Sequence, residues 1–277
     1  MKLCRLRLDG AIMPAALVGE TLHDLSSLGD FTPSFLENTL PALTEVQVST
    51  LPVIARHDGF APCVPHPSKL VCVGLNYYAH AREMGMDIPA DPVVFMKAPS
   101  AITGPNDPIL LPPGSEKLDW EVELAFVIGR RAKHVKKDDA LSHVAGFMVL
   151  NDISERSFQI ERGGQWTKGK SYDSFAPIGP YLVTDVDDPG NLTLGLEVNG
   201  ERMQHGSTND FIFDLSEVIS QISTFMTLEV GDIVTTGTPP GVGGGMKPPR
   251  FLKAGDVVRA EIDGLGVQEQ TVMEDKV

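Results

Sequence analysis

Asp119-Trp120-Glu121-Val122-Glu123-Leu124-Ala125-Phe126-Val127-Ile128-Gly129 places two glutamates two residues apart and then runs into unbroken apolar sequence. Strand geometry with a period of two puts Glu121 and Glu123 on one face, about 7 Å apart, where both carboxylates can lean toward one point. The residues after Glu123 are apolar at every position, which predicts a strand buried on both faces that carries the carboxylates inward. Two buried like charges need neutralising, and a hard cation such as Mg2+ or Mn2+, bound by oxygen ligands, does so. An isolated Glu-x-Glu is ordinarily a solvated strand face, so the pair needs support from elsewhere in the chain.

Outward from this segment, short strand-like pieces bounded by Gly, Pro or Asp follow one another: LVCVG, PVVFMK, VAGFMVLND, YLVT, LTLGLEVNG, DIVTTG and DVVRAEIDG. Asn199-Gly200 and Asp263-Gly264 read as hairpin turns with positive φ at both central residues. One helix is predicted, capped by Asp214, with Glu217 completing a capping box and Leu215, Val218, Ile219, Ile222 and Met226 forming its apolar stripe. The pattern is that of a β-rich α+β fold. Residues 1 to 64 alternate in short pieces and carry weak helical patterns through LHDLSSLGD and PSFLENTLPAL. Pro62, Pro65 and Pro67 then interrupt regular structure, so a small N-terminal accessory domain, 1–64, is expected before the main domain, 65–277.

Thirty-seven acidic against 23 basic residues give a net charge of -14. Such a surface repels nucleic acids and anionic membranes, and neither is expected as a partner. An anionic substrate would have to meet a local positive site. Three scattered cysteines, no signal-like leader and no apolar run of about 20 residues point to a cytoplasmic protein.

Asp152 ends the apolar piece VAGFMVLND and is a candidate third carboxylate, although, read alone, Asp152 or Ser154 more readily starts a helix through ERSFQIER. Arg156, Gln159 and Lys170 follow within eighteen residues and supply cationic and amide groups. Upstream, His80 and Glu83 stand one helical turn apart, so that Glu83 can orient His80 as a general base, or the two can be a plain surface pair. TGTPPGVGGGMKPP is not a phosphate loop, because Pro248 follows Lys247 where Ser or Thr is required. Its glycines and Thr238 can approach a ligand carboxylate or simply punctuate a loop.

In order, Asn76-Tyr77 through His80 and Glu83-Met84-Gly85, Phe95 with Lys97, Trp120 to Leu124, Asn151-Asp152-Ile153-Ser154 with Arg156 and Gln159, Lys170-Ser171-Tyr172-Asp173 and Thr236-Gly237-Thr238-Pro239 resemble the fumarylacetoacetate hydrolase superfamily, across essentially all of Lys69 to Val267. The resemblance implies a mixed β-roll catalytic domain of the fumarylacetoacetase C-terminal type with a small N-terminal domain, a homodimer, and one Mg2+ or Mn2+ per chain on Glu121, Glu123 and Asp152. It implies a His80–Glu83 base dyad on a lid segment, with Lys170 also catalytic. Lys97, Arg156, Gln159, Tyr172 and Thr238 become expected substrate contacts. Many relatives carry Asp immediately before the histidine, where this chain has Ala79, so no fourth acidic ligand is expected there.

The chemistry so implied is cleavage of the C–C bond of a 2,4-diketo acid, an acylpyruvate or a 2,4-diketo-3-deoxy sugar acid, to pyruvate and a carboxylic acid. The keto acid would chelate the metal, which stabilises the enolate. The stretch Ile160 to Lys170 looks most like members acting on the sugar acids. An oxaloacetate decarboxylase or a hydroxymuconate-type isomerase would use the same metal and enolate, and a non-catalytic metal- or ligand-binding relative would keep the fold alone.

Overall fold

A computed structural model describes residues 1 to 276. The glutamate-bearing strand, Val122–Ile128, is buried at every position, as its unbroken apolar run requires. It pairs antiparallel with Val144–Asn151 on one side and with Ile233–Thr235 on the other. From there the main sheet extends in both directions. Ile233–Thr235 runs parallel to Leu70–Gly74, which pairs with the edge strand Val93–Lys97. On the far side Leu182–Val183, Lys2–Leu8, Ala11–Val18 and Thr21–Asp24 follow in turn, with Gly59–Ala61 also joined to Lys2–Leu8. The sheet therefore has ten strands and mixed direction.

A second sheet of five strands orders Glu201–Ser207, Thr193–Val198, Val257–Ile262, Gly266–Glu274 and Ile109–Leu111. It packs against the two central strands of the first, which explains why these have no polar face. Helix Leu215–Phe225 adds Leu215, Val218, Ile219 and Ile222 to the same core. Among the described residues no helix is long and apolar enough to cross a membrane.

Several local expectations change. Asp214 caps the helix by accepting the Glu217 N–H at 2.8 Å, but the Glu217 carboxylate turns to Lys137 at 2.9 Å instead of closing the box. The stripe stops at Ile222, since Met226 is already extended. Asn199 and Gly200 have positive φ (53° and 76°) as the two-residue turn demands. At the other hairpin only Gly264 of the pair does (77°), because the loop has three residues, Asp263 to Leu265, between Ile262 and Gly266. The start of LHDLSSLGD, expected to be helical, falls in the strand Thr21–Asp24, where Leu22, His23 and Asp24 pair with Ala11–Val18. The segment before residue 65 is hydrogen-bonded into the main sheet through Lys2 and Leu3 opposite Val183 and Leu182. Its Leu3, Leu25, Phe31, Phe35 and Leu36 lie in the core cluster that also holds Leu124 and Phe126.

A candidate metal centre and its cavity

Glu121, at the entry to the central strand, and Glu123, within it, point to the same side, and Asp152 follows the neighbouring strand Val144–Asn151. Antiparallel pairing sets Val122 opposite Asn151 and so brings the end of one strand beside the start of the other. Asn151 fixes this junction by accepting the Glu121 N–H at 3.0 Å, and the Asp152 N–H donates to the Glu121 carbonyl at 2.8 Å. One carboxylate oxygen from each of Glu121, Glu123 and Asp152 lies within 4.8 Å of the others, and all three residues are buried. Asp152 caps no helix; a short two-residue strand, Ser154–Glu155, and a single π-helical turn, Ser157–Glu161, follow it.

Cations interleave with these carboxylates. Lys170, 2% exposed, donates to Glu121 at 2.8 Å and to Asp152 at 2.7 Å. Arg156 reaches Glu121 at 2.7 Å and Asp119 at 2.8 Å. Lys97, fully buried at the end of the edge strand, donates to Asp152 and to the Ile153 carbonyl. Burial alone would raise the Glu121 carboxyl, but Lys170 and Arg156 outweigh it and hold it below the usual range. Glu123 has no such partner: burial, then Asp152 and Glu121, push it well above that range. Three buried carboxylate donors converging on one point, one of them held toward its neutral form by its neighbours, fit a hard divalent cation.

His80 and Glu83 sit on the short helix Tyr78–Met84, with His80 Nδ1 and Glu83 Oε2 3.0 Å apart. The other Glu83 oxygen accepts the Gly241 N–H at 2.8 Å, tying this helix to the glycine-rich loop. Asp210 accepts the Ala79 N–H at 2.8 Å and so caps the helix from a distance. Asn76, fully buried, donates to the Phe213 and Thr236 carbonyls and accepts the Phe213 N–H, so the segment entering the helix is fastened at three points.

A cavity of about 390 Å³ brings His80, Glu121, Glu123, Arg156, Gln159, Lys170 and Thr238 together. Two of the expected substrate contacts stand outside its lining. Lys97 is behind Asp152, and Tyr172 turns away so that its hydroxyl donates to Asp275. Thr238 lines the cavity, but its hydroxyl donates to the Val122 carbonyl and accepts from Gln204. Asp119, not singled out from the sequence, is fully buried and accepts the Gly243 and Gly244 N–H groups at 2.7 and 2.9 Å as well as Arg156. The same alternation that pairs Glu121 with Glu123 also includes Asp119, and that was the available signal. The glycine-rich loop thus closes on the chain's own carboxylates, Asp119 and Glu83, while Gly237 donates to Glu123 at 2.9 Å.

Comparison with known proteins agrees with this architecture. Residues 69–273 match the family model described as fumarylacetoacetate (FAA) hydrolase C-terminal. A Burkholderia cenocepacia protein, whose name goes no further than a provisional hydrolase, is 50% identical over 277 residues, covering 98% of each chain. Among solved structures, a fumarylacetoacetate hydrolase from Exiguobacterium antarcticum superimposes with a TM-score of 0.89 at 37% identity, over 99% of this chain and 100% of that one. A 2-hydroxyhepta-2,4-diene-1,7-dioate isomerase from Mycobacterium marinum gives 0.79 at 34% identity. A maleylpyruvate hydrolase from Sphingobium, in complex with manganese(II) and pyruvate, gives 0.82 at 30%; both of these alignments cover 100% of each chain. By its family-model match and these full-length likenesses, the chain belongs to the fumarylacetoacetate hydrolase family.

Proposed function

We propose that the protein is a Mg2+- or Mn2+-dependent hydrolase that cleaves a 2,4-diketo acid into pyruvate and a second carboxylic acid. The observation that carries this reading is the convergence of the Glu121, Glu123 and Asp152 carboxylates beside a cavity that Glu121 and Glu123 line together with His80, itself paired with Glu83. A simple binding site has no use for an oriented base. The manganese and pyruvate bound by the Sphingobium relative support the same choice of cofactor and product.

Glu121, Glu123 and Asp152 would hold the cation, which supplies Lewis-acid stabilisation to the keto-acid end of the substrate. Glu83, accepting from His80 Nδ1, leaves Nε2 with its lone pair free to take a proton from water. The resulting hydroxide adds to the distal carbonyl carbon. The bond from that carbon to the methylene then breaks, its electron pair passing to the methylene carbon, and the proton held by His80 returns there to complete pyruvate. Lys170 adds positive charge beside the keto-acid end without leaving Glu121 and Asp152. Arg156 occupies the Gln159 carbonyl oxygen at 3.0 Å, so the Gln159 amide N–H groups are the ones that face a substrate oxygen.

An acylpyruvate supplied with protein and Mg2+ or Mn2+ is expected to lose its β-diketone absorbance as pyruvate forms. His80→Ala should slow this by at least about a hundredfold. Undiminished turnover in Glu121→Ala sinks the metal role. The likeness to a dienedioate isomerase supports a second reading, tautomerisation at the same site. Product identification on a panel that includes oxaloacetate and a dienol separates hydrolysis, decarboxylation and isomerisation, and metal uptake with no product on any of them would mark a binding protein.

A further inference from the structure

The cavity lining is of two chemical kinds. Carboxylates and their cations make one part. Met84, Met86, Phe95, Ile160, Trp166 and Phe251 make the other, apolar part, and the two meet where Lys170 Nζ lies 5.1 Å from the Phe95 ring centroid. Met84, Met86 and Ile160 are 42%, 52% and 65% exposed, unusually high for large apolar side chains gathered around one opening. They come from two separate segments, the end of the helix Tyr78–Met84 with the residues just after it and the turn Ser157–Glu161, which line the same cavity.

Part of this wall is held by aromatic packing. The Trp166 indole packs edge-on against Phe95 with ring centroids 5.3 Å apart. It also lies over Gly74, where a Cβ atom would come within 2.7 Å of the indole. Glycine at position 74 therefore makes the room that the tryptophan fills, and the aromatic surface is set before any ligand arrives.

Nothing in this part answers a second anionic group. Of the cations lining the cavity, Arg156 is held by Asp119 and Glu121, and Lys170 by Glu121 and Asp152. Lys117, the third, is at the mouth and pairs with Glu161, which lines the same rim. A carboxylate that reached Lys117 would meet the negative charge of Glu161 as well, with little net attraction. A chain of hydroxyl groups would likewise exchange water for aromatic and thioether surface.

We propose that the apolar part of the cavity selects the acyl group of the substrate, and that this group is a neutral alkyl or aryl tail rather than a second carboxylate or a polyhydroxylated sugar chain. The inference rests on the hydrolase reading for the reaction but on the wall residues alone for the tail. It replaces the sugar-acid substrate suggested by the sequence of Ile160 to Lys170.

The test compares 2,4-dioxo acids of equal length bearing pentyl, phenyl, ω-carboxybutyl and polyhydroxylated tails. The pentyl and phenyl substrates should have kcat/KM at least about tenfold above the other two. Trp166→Ala should reduce that ratio to about threefold or less. In parallel, calorimetry on the Mg2+-loaded protein compares straight-chain 2-oxo monoacids with 2-oxo diacids of the same length, ligands that contain no bond to hydrolyse. Tighter binding of the monoacid supports the tail assignment even if no dioxo acid is turned over, in which case only the hydrolase reading falls. Turnover that favours the carboxylate-tailed substrate, or tighter binding of the diacid that is lost in Lys117→Ala, overturns the assignment and leaves the hydrolase reading standing. Equal affinities for the two acids overturn it as well.

Discussion

The Glu123 carboxyl accepts one N–H, from Gly237, while both buried ammonium groups go to Glu121 and Asp152. A buried carboxyl pushed toward its neutral form by burial and like-charged neighbours must take up a proton on folding at neutral pH, which costs stability. Glu123→Gln keeps an oxygen for the Gly237 N–H and has no ionised form to suppress. Without divalent metal the variant should therefore be more stable than the parent by about 1 kcal/mol, or roughly 2–4 °C in Tm for a chain of this size. The parent should gain about 2.7 kcal/mol at a metal concentration a hundredfold above Kd, and the variant should lose that gain. Thermal unfolding in chelator and in Mg2+ or Mn2+ reads both effects, and an equal metal-induced rise in the two proteins would show that Glu123 is not a ligand. Lys170 has the opposite balance. Burial would lower its ammonium, but Asp152 and Glu121 overcome this and keep it charged between their carboxylates.

Among the elements, the helix Tyr78–Met84 depends most on what surrounds it, because seven residues are too few to be stable alone. Its entry is held by Asn76, its first turn by Asp210 and its far side by the bond from Gly241 to Glu83. Asn76→Ala leaves the Phe213 N–H and two carbonyls without their buried partner, which should cost at least about 2 kcal/mol. Hydrogen exchange over residues 75–85 should accelerate more than in the central strands, whereas uniform acceleration would mean that Asn76 supports the fold as a whole and not this helix. None of the three tethers was legible in local sequence, since each joins residues more than 100 positions apart. The strand Val122–Ile128 was legible because its apolar run and the alternation before it are local properties. Asp152 was not: beside Ser154 it read more readily as a helix cap, and only its register with the other motifs suggested a ligand. Lys97 and Tyr172 stand in motifs near the site, yet motif membership does not say whether a side chain faces the cavity, its back wall or, like Tyr172, a distant chain end.

Over the whole molecule, the prolines at 62, 65 and 67 mark a break in regular structure, but the hydrogen bonds of Lys2–Leu8 cross it. Arg7 adds a side-chain tie, donating at 2.7 Å to Asp107, which also accepts from Thr103 and the Gly104 N–H. A chain so connected should unfold in urea as one cooperative step, with near- and far-ultraviolet dichroism changing together. A fragment of residues 65–277 would expose the partners of Leu3, Phe31 and Leu36 and should be insoluble. Two separated transitions, or a soluble fragment that unfolds cooperatively, would instead make residues 1–64 an independent domain. The Asp107 tie gives this a pH signature. Burial alone would raise the Asp107 carboxyl, but Arg7, Thr103 and Gly104 outweigh it and hold it below the usual range. A lowered carboxyl contributes stability in full above its unfolded-state pKa of about 3.9 and loses it as pH falls through the folded value. Asp107→Asn should therefore cost about 1 kcal/mol at pH 7, and the gap to the parent should narrow and close as pH falls below the ordinary carboxylate range. Because the tie joins the first hairpin to the rest of the chain, the cost should appear as a shift of the single transition. Early loss of one part of the signal in the variant would show that the hairpin detaches on its own.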